Sequence, residues 1–308
     1  MIDTDTFLTT LYVIVDDFCK ASLPSEPRPG PQAALSPSEV VTLALCGQWQ
    51  GFGSERGFYR YAQRHLRAAF PALPTREQYN RQVRRQHAAL VAFFLHLVHL
   101  LAAQCGAYEA LDSSGVPTRD AKRRGAGWLP GVADIGWSHR LGWYEGLHLL
   151  MAVNPAGVIT GFGFGAASTK DQPLAETFFA LRRHPHPGLA SMGAPACGSY
   201  VVDKGFEGQA NHQSWGLAYG AQVLCPPKHN SRMPWPKRLR RWLAGIRQIV
   251  ETVYDKLWHT FRLDRERPHD LSGFQARLAA KIALHNFCIW LNEQLGRPHL
   301  AFADLVAW

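Results

Sequence analysis

No two of the six cysteines in this 308-residue chain stand close together. Cys19, Cys46, Cys105, Cys197, Cys225 and Cys288 form no CxxC pair and no zinc-finger or ribbon spacing, which excludes those metal sites. A disulfide framework is not expected in a chain this long. Most of the thiols sit beside apolar residues, as in Leu45-Cys46 and Phe287-Cys288-Ile289, the setting of buried structural thiols in a reducing cytoplasm. Long apolar runs are missing as well. The most apolar stretch, Leu90 to Ala103, is interrupted by His96 and His99 and falls short of the about 20 residues that a bilayer span needs. It reads as a core helix. Met1-Ile2-Asp3-Thr4-Asp5 carries acids where a secretory leader would be basic, so the expectation is a soluble, cytoplasmic protein with no membrane partner. Acidic charge is scarce: 24 Asp and Glu stand against 33 Lys and Arg, giving +9. That balance favours a polyanionic partner, although many basic proteins bind none.

What is present begins with helices. Thr6 to Phe18 reads as a first helix, followed by a proline-rich link from Pro24 to Pro31. Ser36-Pro37-Ser38-Glu39 is a helix start, with Ser36 as N-cap, Pro37 in the first helical position and Glu39 completing a capping box. Glu55 to Phe70 predicts a helix closed by Pro71 and Pro74, and Arg76 to Ala103 predicts one long helical stretch with Arg81, Arg84 and Arg85 near its start. Residues 1–104 therefore read as an all-helical region of basic character. Helix–turn–helix DNA readers have this pattern, and so do many plain helical bundles.

From Gly106 the texture changes to strands. Tyr108 to Asp112 predicts a short strand, Trp143 to Asn154 and Val158 to Gly165 a hairpin, and Tyr200 to Asp203 and Ala221 to Leu224 two more strands. Helices are predicted over Asp171–Leu181, Asn211–Ala218, Lys237–Leu263 and Ser272–Leu295. Strands that alternate with helices after an opening hairpin give a mixed α/β sheet, here over 105–308.

Two predicted strands end in an acid followed by a glycine-containing turn: Asp112 before Ser113-Ser114-Gly115, and Asp203 before Lys204-Gly205. One Asp-x-Gly alone is ordinarily a solvated turn. If the two strands are parallel neighbours, the carboxylates meet at one sheet edge, and a pair of divalent cations is the usual counter-charge. Downstream, Ile246, Val250, Val253 and Leu257 mark the buried stripe of a helix, with Glu251 on its flank and Arg247 one turn earlier. Arg247 and Glu251 could be a surface i, i+4 pair, worth a few tenths of a kcal/mol. Beside Asp112 and Asp203, Glu251 instead reads as a third oxygen ligand. Asp171, at the start of a helix, reads as a cap, and His285 as a satisfied core histidine. His184-x-His186 lacks a third ligand and reads as a loop.

With these residues in view, the chain resembles an insertion-sequence transposase of the Asp-Asp-Glu type, whose catalytic domain has the ribonuclease-H-like fold. The matching segments are Leu111-Asp112-Ser113, Val202-Asp203-Lys204-Gly205-Phe206 and Arg247-x-x-x-Glu251. Gly142 to Leu149 is similar to the family's second-strand segment, Lys170-Asp171 to the segment before its helix, Leu35 to Arg84 to its preceding helical region, and Lys281 to Asn292 to its tail. Ala244 and Trp258 stand where members often carry a tyrosine and a lysine. Only 47 residues, 204 to 250, separate the second and third acids, which leaves no room for the large β insertion of some relatives.

The resemblance implies a ribonuclease-H-like mixed sheet flanked by helices, preceded by an all-helical N-terminal region. It implies Asp112, Asp203 and Glu251 as catalytic and metal-holding residues, Mg²⁺ as cofactor with Mn²⁺ as its substitute, and cleavage and strand transfer of DNA. The implied partners are double-stranded DNA, as terminal inverted repeats and target, and a second copy of the chain, in a bacterial nucleoid. From Lys228 to Val250 there are seven Lys or Arg and no acid, with Trp235 and Trp242 interleaved. Lys228, Arg232, Lys237, Arg238, Arg240, Arg241 and Arg247 make a face that can track phosphates, joined by Lys204 and by Arg81, Arg84 and Arg85. The two tryptophans read more simply as core residues. The rivals are a ribonuclease-H-like nuclease that only hydrolyses, a non-catalytic DNA-binding relic, and a carboxylate-pair glycosidase, which needs no basic face.

Overall fold

The capping box at Ser36 forms in full. In the computed structural model the Glu39 amide donates to Ser36 Oγ, and the Ser36 amide donates to the Glu39 carboxylate. It opens α2 (Pro37–Cys46), which follows α1 (Thr4–Ser22). The structure describes residues 1–307 apart from 24–32, 50–51, 53, 104–105, 121, 123–126, 185–197 and 228–233. The proline-rich link and the proposed boundary at 104/105 lie outside the described residues.

Two of the predicted helices are revised. α3 (Glu55–His65) stops short of Phe70, because the chain turns at Leu66 and sends both Leu66 and Phe70 into the core. The single stretch from Arg76 is two helices, α4 (Arg76–Arg85) and α5 (His87–Leu100), which meet at Gln86. α4 is polar and buries only Tyr79 and Val83, one turn apart, whereas α5 buries a much broader face, Ala89, Leu90, Val91, Phe93, Phe94, Leu97 and Val98. Faces so different cannot both be buried along one axis, so the helix breaks.

The central sheet contains β2 (Glu109–Asp120), β3 (Asp134–Ser138), β4 (Gly142–Val153), β5 (Ile159–Ala166), β6 (Ser199–Val201) and β7 (Gln222–Leu224); a small parallel pair, β1 (Ile2–Asp3) with β8 (Val306–Ala307), ties the two ends together. The main order is β5-β4-β2-β6-β7, with β3 beside the first half of β4 on the edge that β5 takes further along. β4 runs antiparallel to its neighbours, and β2, β6 and β7 are mutually parallel. This is the ribonuclease-H-like sheet.

Both faces of the sheet are covered. On one, Ala110, Leu149, Met151 and Val153 join a core shared with α8 (Lys237–His259), α9 (Leu271–Gln294) and the N-terminal helices. α5 lies along α9. On the other, Leu111, Leu150, Ala152 and Tyr200 pack on α6 (Asp171–Arg183) and α7 (Gln209–Tyr219). An ion pair is buried under this second layer: Arg182 Nη1 donates to Glu109 at 2.5 Å and to Tyr200 Oη at 3.2 Å. Among the described residues no helix is long and apolar enough to cross a membrane.

Candidate active site

β2 and β6 are parallel neighbours, and their last backbone pair is Ala110 with Val201. Two residues further along each strand stand Asp112 and Asp203. Because side chains repeat every second residue, these two acids share a level and a face, the one covered by α8. Asp203 lies two residues past the end of β6, not on its last residue as expected. It stays extended (φ −93°, ψ −178°) and caps the short turn Lys204–Phe206, its Oδ1 accepting from the Gly205 amide at 2.5 Å. Cys225 Sγ donates to the Asp203 carbonyl at 3.0 Å, which fixes the backbone from β7.

Asp112 differs from the expectation. It does not end its strand; β2 continues eight residues to Asp120, because β4 keeps pairing with it as far as Tyr144. Gly115 does not turn the chain. It lies opposite His148, where the Tyr144 ring leaves no room for a side chain. What frees the Asp112 carboxylate is the end of β6, not of β2.

α8 supplies the cation. Its stripe is buried at Val250, Val253 and Leu257. Tyr254 fastens the helix to the sheet, with Oη 2.8 Å from the Leu149 carbonyl and 3.1 Å from that of Asp112. This puts Arg247, two turns earlier, over the acids: its Nη2 is 3.7 Å from Asp112 Oδ2 and 3.8 Å from Asp203 Oδ2. Those separations are ion-pair contacts too long for hydrogen bonds. Burial pushes the Asp112 carboxyl up to about 7; Arg247 works against this and Asp203 adds to it. A part-buried carboxylate that Arg247 only partly neutralises suits a hard cation, and two carboxylates are the oxygen donors that Mg²⁺ takes.

Glu251 lies one turn beyond Arg247. It is exposed and has no ion pair among the described residues. Among those residues no three His, Cys, Asp or Glu side chains stand close enough to hold a metal ion. The structure thus joins Asp112, Asp203 and Arg247, and holds Glu251 on the same helix outside their contact.

A fourth acid, expected as a helix cap, stands beside these residues. The N-cap of α6 is Lys170, and Asp171 is its first helical residue. The Asp171 carboxylate instead accepts from Ser113 Oγ at 2.5 Å and lies 3.5 Å from His148 Nε2, while His148 Nδ1 is 2.7 Å from the Thr169 carbonyl. Ser113 follows Asp112, so the alternation that turns Asp112 to α8 turns Ser113 to α6. A Cβ on Gly205 would strike the carboxylates of both Asp171 and Asp203, so this glycine lets the two approach. The one sequence signal was the Lys170-Asp171 match.

The basic residues spread around this centre. Lys237, Arg238, Arg240 and Arg241 are exposed on the first turns of α8, and Lys204 is exposed beside Asp203. Arg81 and Arg85 are exposed on α4, and Arg84 sits 3.5 Å from Asp270. Lys228, Arg232 and His186 lie outside the described residues. Trp242 is 52% exposed, so it is not the core residue expected, and Trp235 is half-buried. Trp258, at the position where a lysine is usual, is buried under the Arg140 guanidinium, 3.5 Å from its ring centre. His285 is a buried core histidine, Nε2 3.0 Å from the Gly157 carbonyl, and burial pushes it down to about 4.

No curated protein matches the chain. Among solved structures it is similar to the Mos1 transposase paired-end complex with left transposon end, at 8% identity over 78% of this chain and 82% of that one; with a TM-score of 0.23 the likeness is too loose to support any inference about the site. A family model described as the transposase DDE domain matches residues 110–287, more than half of the chain. The matched segment opens two residues before Asp112 and takes in Asp203, Arg247 and Glu251, and the chain belongs to the transposase DDE domain family.

Proposed function

We propose that the chain is a DNA transposase that cleaves at transposon ends and joins them to target DNA, with Asp112, Asp203 and Glu251 holding divalent cations. The observation that carries this reading is the register of β2 and β6, which sets Asp112 and Asp203 level beneath the helix that bears Arg247 and Glu251. When bound, Mg²⁺, or Mn²⁺ in its place, activates the attacking oxygen and stabilises the leaving one.

The chain's own residues do the rest. Asp112 and Asp203 supply hard oxygen donors from fixed backbone, and Glu251 brings a third by turning in from α8. Arg247 balances the acids until a cation arrives, and is then free to meet a phosphate, where a guanidinium makes bidentate contacts. Asp171, held by Ser113 and His148, positions the far side of the acidic edge. Lys204, Lys237, Arg238, Arg240 and Arg241 offer exposed charge for the DNA backbone, Trp242 an aromatic face for an unpaired base, and Arg81, Arg84 and Arg85 a further contact on the helical region. Lys228 and Arg232 belong to the same basic stretch. Joining two ends calls for two copies of the chain, so the working form is a dimer on DNA in the bacterial nucleoid.

The test is an in-vitro reaction with DNA carrying the terminal repeats that bound the reading frame. Asp203→Asn abolishes cleavage and keeps DNA binding. Cleavage retained by Asp203→Asn sinks the assignment, and wild-type hydrolysis without joined product turns the reading to a nuclease.

A further inference from the structure

A second concentration of charge lies away from the acidic edge. A cavity of about 390 Å³ opens between the helical region, at α2, α3 and α4, and the segment that leads from α8 into α9. Seven Arg or Lys side chains line it, against three carboxylates. The carboxylates are all engaged. Glu266 is buried 2.8 Å from Arg277 and 3.2 Å from Lys281. Glu55 is 3.8 Å from Arg277, and Asp270 is 3.5 Å from Arg84. Arg265 reaches a fourth acid, Asp264, at 3.9 Å. Arg56, Arg262 and Arg267 are left with no carboxylate in ion-pair range among the described residues.

Arg262 is the most telling of the three. Its backbone is left-handed (φ 55°, ψ 41°), one of two such non-glycine residues among those described. Strain of this kind persists where the surroundings over-determine it, and it concentrates at ligand sites. Its guanidinium donates from Nη2 to the Gly47 carbonyl at 3.2 Å, while Nε is buried with no hydrogen-bond partner among the described residues. Arg267 is likewise spent on a carbonyl, that of Glu266, at 2.7 Å from Nη1. Among the described residues, the remaining donors of both side chains meet no carboxylate at ion-pair distance, and Glu266 and Asp264 act on Arg262 only from further away. Burial pushes Lys281 down to about 8; Glu266 opposes the shift, and Arg262 and Arg277 add to it. Two helices, α3 and α9, begin at the cavity wall with Ser54 and Asp270 as caps, so their positive ends lie beside it.

We propose that this cavity is a phosphate-binding site, with Arg262 and Arg267 as its principal contacts and Arg56 and Arg84 at its rim. A phosphate oxyanion supplies the negative charge and the multiple acceptors that unpaired guanidinium groups take, in a space of the size that small ligands fill. The group can come from a nucleic-acid backbone or from a free phosphate or phosphorylated small molecule. The inference does not depend on the acidic edge being catalytic.

Inorganic phosphate is titrated calorimetrically into the full chain at constant ionic strength, with chloride as the matched control anion. Wild type is compared with Arg262→Gln, with Arg267→Gln, and with Arg64→Gln, an exposed arginine outside the cavity. Saturable binding is expected in wild type and in Arg64→Gln, weakened at least about tenfold in each cavity variant, as loss of one charge-assisted contact requires. Because Arg267 is exposed, Arg267→Gln keeps the test decisive if Arg262→Gln fails to fold. A short DNA duplex that displaces phosphate identifies the backbone as the source; phosphate binding undisturbed by duplex identifies a free phosphate. No saturable binding, or equal binding by the cavity variants and wild type, overturns the proposal. Asp203→Asn must bind phosphate as wild type does, so failure here and failure of the transposase reading are separable.

Discussion

Replacing Asp112 by Asn is expected to make the metal-free protein more stable, by an amount that grows with pH. The Asp112 carboxyl rises from 3.8 to about 7 on folding, chiefly through burial, with Arg247 opposing and Asp203 reinforcing the shift. The sign follows from where the proton sits. Below the unfolded value, both states are protonated and the acid costs nothing. Between 3.8 and about 7 the unfolded chain releases its proton while the folded chain keeps it, so stability falls as pH rises through this window and levels off above it. Roughly three pH units at about 1.4 kcal/mol each set a ceiling of about 4 kcal/mol for the cost at and above neutral pH. The Asp112 side chain is 19% exposed, so some solvent screening reaches it and the realised value is lower. Asn has nearly the same shape and no charge, and Asp203 remains as a partner for Arg247. Urea unfolding in the presence of chelator, for wild type and variant at acidic and at mildly alkaline pH, reads the difference directly. A gain that is independent of pH, or a variant less stable than wild type at alkaline pH, refutes the reasoning.

Other substitutions separate support from chemistry. Glu251→Gln should leave the stability of the metal-free protein within about 0.5 kcal/mol of wild type, because the side chain is exposed and unpaired, while lowering DNA cleavage more than about a hundredfold; thermal unfolding and a cleavage assay check the two halves. Tyr254→Phe removes the hydroxyl that ties α8 to the Leu149 and Asp112 carbonyls, for a loss of about 1–3 kcal/mol in chemical unfolding and about tenfold in metal affinity. Arg182→Met leaves Glu109 buried without its cation and should cost about 3–5 kcal/mol, most of it recovered when Glu109→Leu is added; a double-mutant cycle measures the recovery.

Much of the frame was legible because local signals and burial agree. Ser36-Pro37-Ser38-Glu39 has one good reading, and the stripe at Val250, Val253 and Leu257 fixed which face of α8 is inside. The shared ending of the two acid-bearing strands raised the condition that they are parallel neighbours, and β2 and β6 meet that condition. For Asp112 the shared ending reached the right neighbour by a wrong route, since a strand end and a strand whose partner ends look alike in a linear sequence. The break at Gln86 was invisible because it arises from what each half of the stretch packs against, not from a breaker residue. Asp171 was missed for a similar reason: an acid beginning a helix is ordinarily a cap, and only the side-to-side alternation of Asp112 and Ser113 reveals that it faces the acidic edge. The exposed side of Trp242 and the cationic cavity around Arg262 depend on tertiary placement, which no spacing in the sequence records.

Asp112 and Asp203 are proposed to form one cation site. Titration of Mn²⁺, followed by electron paramagnetic resonance of the free ion, tests it without DNA and without turnover. The wild-type chain is predicted to bind Mn²⁺ saturably, and Asp112→Asn and Asp203→Asn are each predicted to weaken binding by more than about tenfold. Either variant binding Mn²⁺ as tightly as wild type contradicts the account.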